Sequence, residues 1–192
     1  MLRNLKFSKR GFSLIELMVA VSIFAIVALI VSGAVITANR INEKAQAIKV
    51  VMDSLHFAVN SISFNLQDGG LYYCEAGAAL STSFVPTEGH DCPTGESSLA
   101  FRSSDLTRTY LYKRETVNGR GVLSVSESGA EFVPITSPEL IDLQSVKFFV
   151  KNSEELGGLP SAQPLVTVVL LGEGGRGDLK TSFALQTTIS ER

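Results

Sequence analysis

Cysteine and histidine are scarce in this chain of 192 residues, with two of each. Cys74 and Cys92 are too few for a thiolate zinc site, and they do not form a CxxC redox pair. No GxSxG elbow or comparable nucleophile context stands among the many serines, so His56 and His90 have no evident triad to join. The sequence therefore points to no enzyme and to no cofactor. Glu88 and Asp91 beside His90, and Glu173 with Asp178 in a glycine-rich loop, lack the ligand count and alternating spacing of a calcium loop. They read as solvated loop acids.

Acidic residues are missing from the first eleven positions, where Arg3, Lys6, Lys9 and Arg10 stand alone. Without that leader, 13 basic residues face 19 acidic ones, a side-chain charge of −6. A body of that sign offers no electrostatic footprint for nucleic acid. Charge of either sign is missing from Leu17 to Ile36, and proline from Phe12 to Leu66.

The 20 uncharged residues LMVAVSIFAIVALIVSGAVI explain the positive mean hydropathy of +0.23. As a helix rising about 1.5 Å per residue they span roughly 30 Å, the thickness of a bilayer core. The basic leader marks the cytoplasmic side, which puts the C-terminal body across the membrane. A secretory signal peptide would need a shorter apolar core, although Ser32-Gly33-Ala34 offers it small residues. A plain single-pass anchor accounts for length and orientation but not for Glu16. A carboxylate at the edge of hydrocarbon is costly unless it meets a positive partner, and the apolar run supplies none. An α-amino group freed by cleavage before Phe12 would supply one, on this chain or on a neighbouring helix.

KR-Gly11-Phe12-Ser-Leu-Ile-Glu16-Leu-Met-Val, followed by the long apolar run, resembles the class III signal of type IV pilins and pseudopilins. The match is dense over residues 9–36. The resemblance implies cleavage by a prepilin peptidase between Gly11 and Phe12, and methylation of the new Phe12 N-terminus. It also implies that Glu16 neutralises the N-terminus of an adjacent subunit during filament assembly. The implied partners are the peptidase, other pilin or pseudopilin subunits, an inner-membrane assembly platform, and the membrane before assembly. The implied location is the bacterial inner membrane, with the C-terminal domain periplasmic, and then a filament at the cell surface or in the periplasm.

Beyond Ile36, residues Ile41, Ala45, Ile48, Met52, Leu55, Val59, Ile62 and Leu66 alternate spacings of four and three, a one-sided helical stripe. Arg40, Glu43, Lys44, Lys49 and Asp53 fall off it. The stripe predicts a helix from Phe12 to Leu66, about 55 residues and on the order of 80 Å long. Asp68-Gly69-Gly70 stops it. A coiled-coil dimer would show the same heptads. Packing on the chain's own downstream strands is preferred, because the stripe lasts only about four heptads and those strands need a cover.

From Leu71 the apolar period changes to two. Strands are expected at 99–102, 107–114, 122–126, 131–135, 145–151, 165–171 and 181–189, with Val117-Asn118-Gly119-Arg120 as a hairpin turn. The stretch from Tyr73 to Ser98 reads as a surface loop. Gly172–Asp178 (GEGGRGD) reads as a longer connection between the last two strands. In an oxidising compartment Cys74 and Cys92 close one disulfide; in a cytosolic protein they stay as buried thiols. The export-type N-terminus favours the disulfide, worth roughly 3 kcal/mol for a loop of this length.

The expected fold class is α+β, a long N-terminal helix packed on a C-terminal antiparallel sheet, as in pilins. The expected division is a leader at 1–11, a transmembrane or filament-core helix at 12–37, an amphipathic helix at 38–68 and a globular β domain at 69–192. Pro164–Leu171 and Phe183–Ser190 are similar to the last strands of minor pilins and minor pseudopilins, and the 181 residues after Gly11 suit those larger subunits. A minor pilin is the preferred assignment, with a minor pseudopilin of a type II secretion system as the alternative.

An adhesin or DNA-uptake pilin displayed at a filament tip is the competing class. Arg102, Arg108, Lys113, Arg114 and Arg120 lie along one hairpin with Tyr110 and Tyr112 between them, a pattern that can bind single strands. An ordinary solvated sheet face has the same pattern and is preferred. Arg176-Gly177-Asp178 matches an adhesive tripeptide, at a length where chance matches are common.

Overall fold

The computed structural model describes residues 11–75, 80–153, 163–175 and 180–190. Residues 1–10 of the leader, Pro160 and the Arg176-Gly177-Asp178 tripeptide lie outside the described residues.

Helix α1 runs unbroken from Leu14 to Gln67. Ser13 stands at its N-cap, its carbonyl accepting the Leu17 N–H at 3.2 Å, and Glu16 lies in the first turn. Gly33 does not interrupt it, and Ser22, Ser32 and Thr37 donate their hydroxyls to the carbonyls four residues back. Those bonds satisfy the only side-chain polar groups between Leu17 and Thr37, which an apolar solvent demands. The chain divides into two compact units, residues 1–45 and 46–192.

In the first unit every described residue is exposed, and the large apolar side chains from Phe12 to Ile41 are bare. An 18-residue window of α1 is apolar enough and long enough to cross a membrane.

In the second unit, α1 buries Val51, Leu55, Ala58, Ile62 and Leu66. The predicted stripe needs correcting at its N-terminal end. Ile41, Ala45 and Met52 are exposed, and Val51 and Ala58 take up burial in place of Met52 and half-buried Val59. The reason is local. Gly174 of a strand beneath the helix has no side chain, and any Cβ there would strike Val51. That gap lets the helix settle on Val51 rather than on its neighbour.

Among the described residues nine strands follow: β1 (Gly69–Cys74), β2 (Cys92–Glu96), β3 (Ser98–Ser103), β4 (Thr109–Val117), β5 (Arg120–Glu127), β6 (Val133–Pro134), β7 (Ile141–Lys151), β8 (Leu165–Gly174) and β9 (Thr181–Ser190). They form two antiparallel sheets rather than the single sheet expected, in the orders β1-β3-β4-β5-β6 and β2-β7-β8-β9. The expected strand at 131–135 shrinks to the two residues of β6, and β8 extends through Gly174 into the expected connection.

Two strands fall outside the expected set. β1 begins on the glycines that end α1, and β2 lies in the stretch read as surface loop. Both have irregular register against their partners, which erases the period-two signal. Asn118 and Gly119 both take positive φ, 53° and 76°, the backbone of a two-residue hairpin between β4 and β5.

The two sheets meet where β5 faces β7. The Gly121 N–H donates to Asp142 Oδ1 at 2.8 Å, and Arg114 Nε donates to the Leu143 carbonyl at 2.6 Å. Leu55, Ile62 and Leu66 share one buried cluster with Phe101, Tyr112, Leu123, Phe148 and Val168, so the helix closes the core over both sheets. Ring contacts tie it together. Phe101 stacks on Tyr112 at 5.9 Å between centroids and on Tyr110 at 5.3 Å.

The helix end is fixed as well. Asn65 Nδ2 donates to the Tyr112 hydroxyl at 2.8 Å, and the Tyr72 hydroxyl lies 2.6 Å from the Leu66 carbonyl.

Candidate functional site

Two regions carry the residues singled out by the sequence. The first is the start of α1. Gly11, Phe12 and Ser13 precede the helix and are exposed, so the Gly11–Phe12 peptide bond lies in irregular chain. A peptidase needs an extended, reachable bond, and this one is both non-helical and uncovered.

Phe12 and Glu16 are four residues apart, the spacing that brings side chains onto one face once the chain is helical. Glu16 is exposed in the first turn, where the partial positive charge of the helix N-terminus favours a carboxylate. Ser13-Leu14-Ile15-Glu16 also has the S-x-x-E spacing of a capping box, a signal legible in the sequence. Glu16 therefore suits its place at the helix start, and its exposure leaves it open to an amino group on another chain.

The second region surrounds the cysteines. Cys74 ends β1 and Cys92 begins β2, and a disulfide joins them with Cα atoms 6.1 Å apart. It ties one sheet to the other, because β1 belongs to the first and β2 to the second. His90 lies beside it, with Nδ1 2.8 Å from the Cys74 carbonyl and its N–H donating to the Tyr72 carbonyl. The Tyr73 ring contacts both His90 and Phe84.

Asp91 accepts the N–H groups of Asn152 and Ser153 at 2.9 and 2.7 Å. It is thereby committed to the turn after β7. Among the described residues no three His, Cys, Asp or Glu side chains converge as metal ligands.

The basic hairpin is not a stacking platform. Tyr110 and Tyr112 point into the core, and burial holds the Tyr112 phenol up at about 12. Arg108 pairs with Glu127 at 3.7 Å, Lys113 with Glu115 at 3.1 Å, and Arg120 donates to the carbonyls of Pro138 and Glu139. With Arg114 held by Leu143, these cations are spent on the protein itself. His56, on the helix, is exposed.

Residues 6–32 match the family model described as the prokaryotic N-terminal methylation motif. The chain thus carries a prepilin-type motif, which supports a type IV pilin or pseudopilin family. The fold agrees with it, as one long N-terminal helix is followed by antiparallel sheets in a pilin-like α+β arrangement. No curated protein matches the chain, and no solved structure does.

Proposed function

We propose that this protein is a minor pilin, a structural subunit of a type IV pilus-like filament and not an enzyme. It is made as a prepilin and inserted in the bacterial inner membrane with its C-terminal domain periplasmic. A prepilin peptidase cleaves it after Gly11 and Phe12 is N-methylated. The assembly platform then packs its N-terminal helix among those of other subunits.

The observation that carries this reading is the methylation motif running directly into an apolar helical stretch whose described side chains are exposed. Within a filament that stretch would be covered by its counterparts, and Glu16 would meet the α-amino group of a neighbouring Phe12. In a helix-lined filament core a carboxylate left without a positive partner is strongly destabilising, so Glu16 needs that amino group there.

Glu16→Val tests the role directly. The variant should be processed as efficiently as the wild type, and it should be depleted at least about tenfold from sheared filaments. Normal incorporation would refute the assembly role of the carboxylate.

A further inference from the structure

Among the described residues the two sheets end on four edge strands, and three of them are guarded against pairing with another chain. β1 is broken by an irregular register, and its Tyr72 carbonyl already accepts from the His90 N–H and the Ser153 hydroxyl. β6 is only two residues long and ends on Pro134. β2 carries Pro93 and an irregular register against β7, and the disulfide holds it at Cys92. Short edges, prolines and bulges keep a sheet from accepting a foreign strand.

β9 has none of these devices. It pairs with β8 over ten consecutive residues without a break in register, and no described strand lies on its other side. Its sequence, TSFALQTTIS, has no charge, proline or glycine. Alternate residues of an edge strand turn their N–H and C=O groups away from the sheet, a template for another strand. Phe183, Leu185, Thr187 and Ile189 share the face of buried Val168 and Leu170 of β8. Phe183 and Leu185 pack on the core yet are only half-buried, so apolar surface runs along the same rim.

This edge is complementary to a second copy of itself. A two-fold axis through Gln186 lays two β9 strands antiparallel and keeps each face of the sheet on its own side. Phe183 then stands opposite Ile189, and Leu185 opposite Thr187. Aromatic and aliphatic side chains set against β-branched ones are favourable cross-strand pairs, and no like charges meet. An axis through Leu185 would set Ile189 against Thr181 instead and lose the pairing with Phe183. Two four-stranded sheets become one of eight strands, which ends on the guarded β2 at both sides. Such a contact closes at two copies rather than growing into a fibre.

We infer that β9 is a dimerisation edge, through which two copies of this chain join antiparallel about Gln186. Every residue of the contact lies in the second unit, so the inference does not rest on the filament reading.

The test uses the full chain in neutral detergent, with micelles in large excess so that chains are not forced to share one. Gln186 is exposed, so Gln186→Cys leaves the core intact. Under mild oxidation this variant should give a disulfide-linked dimer, because the two copies of position 186 face each other about 5 Å apart. Thr188 is also exposed but would stand opposite Ala184. The two copies of Thr188→Cys would lie roughly 13 Å apart, beyond the reach of a disulfide, and should stay unlinked. Gln186→Lys sets like charges opposite each other and should weaken the dimer about fivefold in analytical ultracentrifugation, with circular dichroism unchanged. Equal linking at 186 and 188, or no linking at 186, would overturn the inference. A wild type that sediments as one chain at every concentration, or undiminished association of Gln186→Lys, would do the same.

Discussion

The two stretches of α1 use similar residues in opposite ways. From Leu14 to Ala45 the helix is rich in Leu, Ile, Val and Phe and buries none of them, whereas from Gln46 to Gln67 it buries its apolar positions under two sheets. One continuous backbone thus carries one apolar stretch packed in its own domain and another whose described side chains are exposed. Apolar area left in water is disfavoured by roughly 25 cal/mol per Å², so a bare surface of that extent implies a lipid or protein solvent. Under the proposed function, membrane and filament are the two solvents the subunit would meet in turn.

The contrast can be broken by cutting equal side chains from each stretch. Leu55 is fully buried and Leu29 is 76% exposed. Leu55→Ala should cost about 2–5 kcal/mol in denaturant unfolding of the chain in micelles. Leu29→Ala should leave unfolding within about 0.5 kcal/mol of the wild type. Equal losses would erase the distinction between the two stretches.

The disulfide sharpens the same contrast, because it staples only the body. The double variant Cys74→Ser, Cys92→Ser should lose roughly 3 kcal/mol in the same measurement while leaving the helical signal of the apolar stretch unchanged. A loss confined to a few tenths would mean that the two sheets hold together without the link.

A smaller effect is expected where α1 meets the first sheet by a polar contact. Tyr112→Phe removes the acceptor for Asn65 and should cost about 1 kcal/mol. The wild-type phenol, raised from 10.0 to about 12, binds its proton more tightly folded than unfolded. Its contribution is therefore complete below pH 10 and is lost as pH rises through 12, which an ultraviolet tyrosinate titration would follow. Ionisation of every tyrosine near 10 would contradict the burial argument.

The sequence made some of this legible and concealed the rest for physical reasons. Gly11, Phe12 and Glu16 announce themselves because the N-terminal methylation motif is a local string of sequence. The Asn118-Gly119 turn is equally local. The division into two sheets is not, since it depends on Gly121 and Asp142 meeting across 21 positions of sequence. β1 and β2 escaped because glycines, a proline and irregular register hide their alternation. The basic hairpin reads best as a solvated sheet face, and what the sequence could not show is that Tyr110 and Tyr112 are buried while Arg114 and Arg120 donate to backbone carbonyls.

The central claim is that Lys9-Arg10-Gly11 is read once and removed, and that Glu16 then faces the amino group so exposed. Intact-mass and N-terminal peptide mass spectrometry of the protein recovered from its native membrane or filament tests it most directly. The account predicts a mature chain beginning at N-methylated Phe12. An intact Met1 leader, or a terminus near Ala34, would contradict it.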